Sequence, residues 1–100
     1  MIDLEQKYIE DIRYILNRYV PNAQIRVFGS RIQGNANTYS DLDIAIVSDS
    51  ALDPKIIRRL KDDFEFSELP FCVDILDWHQ IAPEFQSIIL KNYEILDLEA

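Results

Sequence analysis

Apolar residues recur along this chain in two rhythms. Leu4, Tyr8, Ile12, Ile15, Leu16 and Tyr19 follow steps of three to four, which places them on one face of a helix that packs on a core. Asp3 with Gln6 resembles a capping box at its start, and Pro21 with Asn22 should end it. Gln24 to Phe28 is short, rich in strand-forming residues and runs straight into Gly29-Ser30, which predicts a strand ending in a tight turn. Arg31 to Ser40 contains Gly34, Asn35, Ala36 and Asn37 and has no apolar period beyond Ile32, so a short helical turn followed by a loop is predicted there.

Leu42 to Val47 reads as a buried strand with an acidic residue near its beginning. Asp53-Pro54 is an N-cap followed by proline at the first helical position, and Ile56, Ile57, Leu60 and Phe64 continue at helical spacing. Phe71 to Trp78 reads as a further strand, and Ile81, Phe85, Ile88 and Ile89 mark a last helix opened by Pro83. Tyr93 to Leu96 fits either a short strand or a frayed tail. The pattern predicts an α/β (α+β) chain in the order α-β-(α)-β-α-β-α, with a small sheet flanked by helices.

Composition narrows the class. One hundred residues with 48% hydrophobic content suffice for one compact core, so residues 1–100 are expected to form a single domain. No apolar run approaches the roughly 18 residues that span a bilayer, and the first residues are acidic where a signal peptide would be basic; no membrane partner and a cytoplasmic location are expected. The lone Cys72 lies in the apolar run Phe71-Cys72-Val73, which predicts a core position. A net charge of -8 disfavours binding to a nucleic acid backbone, so no direct nucleic acid contact is expected. A nucleotide already neutralised by Mg2+, or a basic protein, fits the charge better.

Candidate chemistry sits on three acidic residues and a turn. Asp41 and Asp43 are two apart, so in a strand their side chains leave the sheet on the same side and can share a hard divalent ion with substrate phosphates. Gly29-Ser30 ends the preceding strand; glycine permits close backbone approach, and main-chain N–H groups with the Ser30 hydroxyl can receive phosphate oxygens. Arg31 adds positive charge beside them. Asp74 interrupts an otherwise apolar strand; it either joins the same ions, faces solvent from an edge strand, or pairs with an arginine. Asp77 competes with it but faces the opposite side of the strand. His79, the sole histidine, reads as a strand-end or capping residue, and Trp78 and Phe85 as core packing or else a partner surface.

Val27-Phe28-Gly29-Ser30-Arg31, then Gly34, then Ser40-Asp41-Leu42-Asp43-Ile44, with the later Val73-Asp74-Ile75, resembles the signature of the polymerase-beta-type nucleotidyltransferase superfamily. The resemblance covers most of the chain, and its fold is a small mixed sheet flanked by helices. The short length is similar to the minimal nucleotidyltransferases, which are typically encoded beside an all-helical HEPN partner, many such pairs acting as toxin and antitoxin. The resemblance implies that the chain is the antitoxin, transferring AMP from ATP to a tyrosine of that partner in a hetero-oligomer. It implies Gly29 and Ser30 as triphosphate binders, Asp41 and Asp43 as ligands of two Mg2+ ions, and Asp74 as ligand of the catalytic one. Gln33 stands where members often carry a second arginine, which weakens the expected hold on phosphate; Asn37-Thr38-Tyr39 is also unusual.

Two rivals stay open. One is a binding module that neutralises its partner by contact, with the metal site unused for transfer. The other is a small-molecule adenylyltransferase working with a substrate-binding subunit, for which this chain looks too short to enclose the acceptor alone.

Overall fold

The computed structural model describes residues 2–99. Helix α1 (Gln6–Tyr19) buries Ile12, Ile15 and Leu16, as its spacing requires. The capping box does not form: Glu5 is the N-cap and makes no side-chain cap bond. Asp3 is instead committed to Arg31, its N–H donating to the Arg31 carbonyl at 2.6 Å. Strand β1 (Gln24–Phe28) leads into a one-turn helix α2 (Ser30–Gln33), and β2 (Leu42–Val47) follows the loop. Helix α3 (Pro54–Glu65) starts where Asp53 accepts the Lys55 N–H at 2.9 Å with Pro54 in the first turn. Strand β3 (Val73–Asp77), helix α4 (Pro83–Lys91) and strand β4 (Glu94–Leu96) complete the order, so the ambiguous C-terminal stretch is a strand.

The sheet runs β3-β2-β1-β4 and is mixed: β2 and β3 are parallel, joined through α3, while β1 is antiparallel to both β2 and β4. Strand alternation divides its faces. Ile25 and Val27 of β1, Leu42, Ile44 and Ile46 of β2, and Ile75 of β3 turn to one side, where they join Ile12 and Leu16 of α1 and Leu60 and Phe64 of α3 in a buried cluster. Each side chain fully buried there stabilises the fold by about 1.5–3 kcal/mol relative to exposure.

The other face carries Arg26, Phe28, Asp43, Ala45, Asp74 and Leu76, since cross-strand partners share a face. Aromatic groups cover part of it. The Arg26 guanidinium lies 4.6 Å from the Trp78 ring and 5.2 Å from the Tyr93 ring, and Phe28 meets Phe85 edge to face at 5.8 Å. Phe85 nonetheless stays more than a third exposed.

Strand β3 is shorter than its apolar run because Asp77 ends it. The buried Asp77 carboxylate accepts from Leu52 N–H at 2.8 Å and from His79 N–H at 3.1 Å, turning the chain into a 3-10 turn at Trp78–Gln80. Cys72 is exposed, against the expectation of a core thiol. Alternation explains the correction: Phe71 takes the inward position, so its neighbour must face out. Among the described residues no helix is long and apolar enough to cross a membrane.

Candidate active site

Asp43 is the second residue of β2 and Asp74 the second of β3, and the parallel register sets them side by side. Adjacent strands lie about 4.8 Å apart, so these two side chains rise from the same face as neighbours. Asp41 immediately precedes β2 and is exposed, two residues before Asp43. Asp43 feels the other two carboxylates. Asp43 is half-buried, and its pKa is raised above 3.8, first by burial and then by the charges of Asp74 and Asp41. Among the described residues no lysine or arginine forms an ion pair with any of the three, so the salt bridge considered for Asp74 does not occur; Asp74 is exposed on the edge strand β3, as the solvent-facing alternative expected.

The turn after β1 closes on the same spot. Phe28 is the β1 partner of Asp43, so Gly29 begins next to that carboxylate. Gly29 has φ 82° and ψ −154°, a conformation that side chains exclude, and a Cβ there would sit 2.5 Å from Asp43 Oδ2. The missing side chain is what allows the main chain of the turn to touch the carboxylate. Ser30 follows as the first residue of α2, half-buried beside it.

A cation bound here would offset the charge around Asp43, and carboxylate oxygens are the donors a hard ion such as Mg2+ takes. Among the described residues no three His, Cys, Asp or Glu side chains are grouped so that they could hold a metal ion, so Asp41, Asp43 and Asp74 do not make a three-carboxylate metal site by themselves. Mg2+ commonly completes its octahedron with water and substrate phosphates around one or two carboxylates, so the donor set suits an ion that arrives with a nucleotide. A cavity of about 530 Å³ opens beside Asp41, lined by Tyr39, Lys61, Phe64, Leu69 and Cys72 among others.

Arg31 does not join the site as its sequence neighbours suggest. Its side chain is buried, with the guanidinium donating to the carbonyls of Asp3, Thr38 and Ser40 and stacked 4.5 Å from the Phe71 ring. Asp3 stands 28 residues away and Thr38 and Ser40 stand 7 and 9 residues away, all outside the one-turn helix that holds residue 31, so no helical or strand period relates them to it. Gln33 is exposed. Asp77 and His79 serve structure: Asp77 caps two N–H groups, and His79 Nε2 lies 2.6 Å from the Ser48 carbonyl oxygen.

Comparison with known proteins identifies the fold and the family. Residues 10–97 match the family model described as polymerase beta, nucleotidyltransferase. Over 95 residues the chain is 40% identical to the probable protein adenylyltransferase MntA of Haemophilus influenzae, covering 95% of this chain and 83% of that protein. It superposes on a crystal structure of a toxin-antitoxin with AMP-PNP with a TM-score of 0.74 and 26% identity, over 89% of this chain and 72% of that one. A mutant of the toxin-antitoxin MntA-HpeT shares the fold at a TM-score of 0.73 and 23% identity, over the same shares of the two chains. With its mixed sheet, its helices and nearly nine tenths of its length accounted for, this chain belongs to the polymerase beta nucleotidyltransferase family.

Proposed function

We propose that this chain is a single-domain, Mg2+-dependent protein adenylyltransferase that transfers AMP from ATP to a hydroxyl of a protein partner, a tyrosine of a helical HEPN toxin, and so acts as the antitoxin of the pair in the cytoplasm. The observation that carries the reading is the register of Asp43 with Asp74, with Asp41 two residues away and the Gly29 turn pressed against Asp43. The likeness to MntA and to a toxin-antitoxin bound to AMP-PNP supports the nucleotide, the acceptor class and the partner.

Asp41 and Asp43 would hold two Mg2+ ions and Asp74 one of them; when bound, these supply charge stabilisation at the phosphates and lower the pKa of the acceptor hydroxyl. Gly29 and Ser30 receive the triphosphate and orient its α-phosphorus toward the carboxylates. The acceptor oxygen forms a bond to the α-phosphorus as the bond to the β-phosphate oxygen breaks, and pyrophosphate leaves. Asp74, exposed at the front of the edge strand, takes the hydroxyl proton and passes it to solvent. Burial of Asp43 against Gly29 keeps one metal ligand rigid while its neighbours stay open to the substrates.

Mixing the chain with its partner, Mg2+ and ATP labelled in the α-phosphate tests the reading. Label should be fixed on the partner by the wild type and not by a folded Asp43→Asn variant; transfer by that variant refutes it. One observation favours a binding module instead. Arg31 is turned inward and position 33 is a glutamine, so neither basic position of the turn offers charge to phosphate. A stable complex with no label on the partner would establish that second reading.

A further inference from the structure

We infer that Arg31 is a positioning residue for metal binding, its guanidinium fixing the main chain that enters Asp41. The inference deepens the proposed function, resting on its assignment of Asp41, Asp43 and Asp74 as Mg2+ ligands.

Asp41 lies just outside β2 and its side chain is exposed, so neither the strand ladder nor packing holds it. The peptide units on its two sides do. On one side, Leu42 N–H donates to the Cys72 carbonyl at 2.9 Å. On the other, the Ser40 carbonyl oxygen accepts from Arg31 Nη2 at 2.8 Å and from Nε at 3.2 Å. A peptide unit is planar, so pinning one atom of each restricts Asp41 to the rotations between two anchored planes.

The same guanidinium makes a second bond to the loop at 37–40 and reaches the N-terminal segment. Nη2 donates to the Thr38 carbonyl and Nη1 to the Asp3 carbonyl, both at 3.1 Å, and the Phe71 ring lies 4.5 Å away. Only 5% of Arg31 is exposed. Among the described residues the other hydrogen bonds of the loop at 37–40 run within it: Ser40 N–H to the Asn37 carbonyl, Asn37 N–H to Ser40 Oγ, and Tyr39 N–H to Asn37 Oδ1. Arg31 is therefore what ties this loop to the body of the protein. A buried cation is tolerated only when its donors are satisfied, and here three carbonyls, one from the N-terminal segment and two from the loop at 37–40, satisfy them. Lysine keeps the charge but lacks the planar fork that spans such acceptors.

Groups that orient metal ligands typically cost about 10–100-fold in metal affinity when replaced. Binding of Mn2+ together with a non-hydrolysable ATP analogue to the intact chain, followed by electron paramagnetic resonance, reads this without requiring transfer. Wild type should bind Mn2+ and Asp41→Asn should bind it far more weakly. Arg31→Lys, with wild-type far-ultraviolet circular dichroism, should lose about tenfold or more in affinity. Ile12→Val, which loosens the core without touching the loop, should keep wild-type affinity, separating positioning from general destabilisation. If Arg31→Lys does not fold, Phe71→Leu removes the ring beside the guanidinium and should weaken Mn2+ in the same direction. Affinity within about twofold of wild type in the folded variant, well below the loss typical of such groups, overturns the inference alone. A wild type that binds no Mn2+ overturns it together with the metal reading on which it rests.

Discussion

Replacing Gly29 by alanine adds a single methyl group, and the structure says where it goes. Its carbon would stand 2.5 Å from Asp43 Oδ2, whereas ordinary contact begins near 3.4 Å, so the carboxylate and the turn must separate by about 0.9 Å. The backbone resists as well: φ 82° with ψ −154° lies in a region reserved essentially for glycine, at a cost of about 1–3 kcal/mol for any other residue. Domains of this size hold about 5–15 kcal/mol in reserve, so the variant should fold, with its melting temperature lowered by about 4–8 °C for each kcal/mol lost. Displacement of a reacting group by about 1 Å can cost about 100-fold in rate, so transfer should fall far more than stability does. Gly34→Ala is the matched control. It has φ 81° and ψ 10°, in the left-handed region, but nothing lies within 4 Å of the added carbon. It should lose about 1–2 kcal/mol from backbone strain and leave transfer near wild type. Thermal melts and initial rates with labelled ATP on both variants decide the matter. Equal rates in the two variants at similar stability loss would show that the close approach of Gly29 to Asp43 has no part in the chemistry.

Two further outcomes follow from the same geometry. Asp43 has a folded-state pKa above its ordinary 3.8, so the native state holds the proton more tightly than the unfolded chain; its contribution to stability is full below 3.8 and is lost as pH rises through the raised value. Without divalent ions, urea midpoints measured across that window should fall with pH in the wild type and flatten in Asp43→Asn, while Mg2+ added with a non-hydrolysable ATP analogue at neutral pH should raise the midpoint of the wild type more than that of the variant; identical profiles would contradict the coupling of Asp43 to Asp74 and Asp41. Cys72, exposed at the mouth of the cavity beside Asp41, should react with a thiol reagent in the native protein about as fast as in urea, and protection until unfolding would return it to the core.

Much of the fold could be read from residue order, for local reasons. The boundaries of β1 and β2 follow from short runs of branched apolar residues, and α3 from the Asp53-Pro54 start, all of which act within one turn or one strand. What escaped depends on partners far along the chain. Asp3 looked like a helix cap because its claim on Arg31 spans 28 residues. Cys72 looked buried because an apolar run does not say which member faces in until a neighbouring strand sets the register. For the site, the opposite face of Asp77 needs only the odd spacing from Asp74, whereas the two-residue strand period does not govern Asp41, which stands just before β2. That Asp74 stands beside Asp43 required the parallel pairing of β2 with β3, which no local pattern encodes.

The arrangement on the second sheet face makes the protein its own instrument. The chain contains one tryptophan, and that indole sits against the Arg26 side chain in the aromatic layer rather than among the aliphatic groups under α1 and α3. Its emission therefore monitors one layer while the ellipticity of the helices is dominated by the other. Denaturation curves from the two signals coincide only if both layers come apart in a single cooperative event, so a molecule of this size reveals without any label whether it melts as one unit or sheds its aromatic cover first.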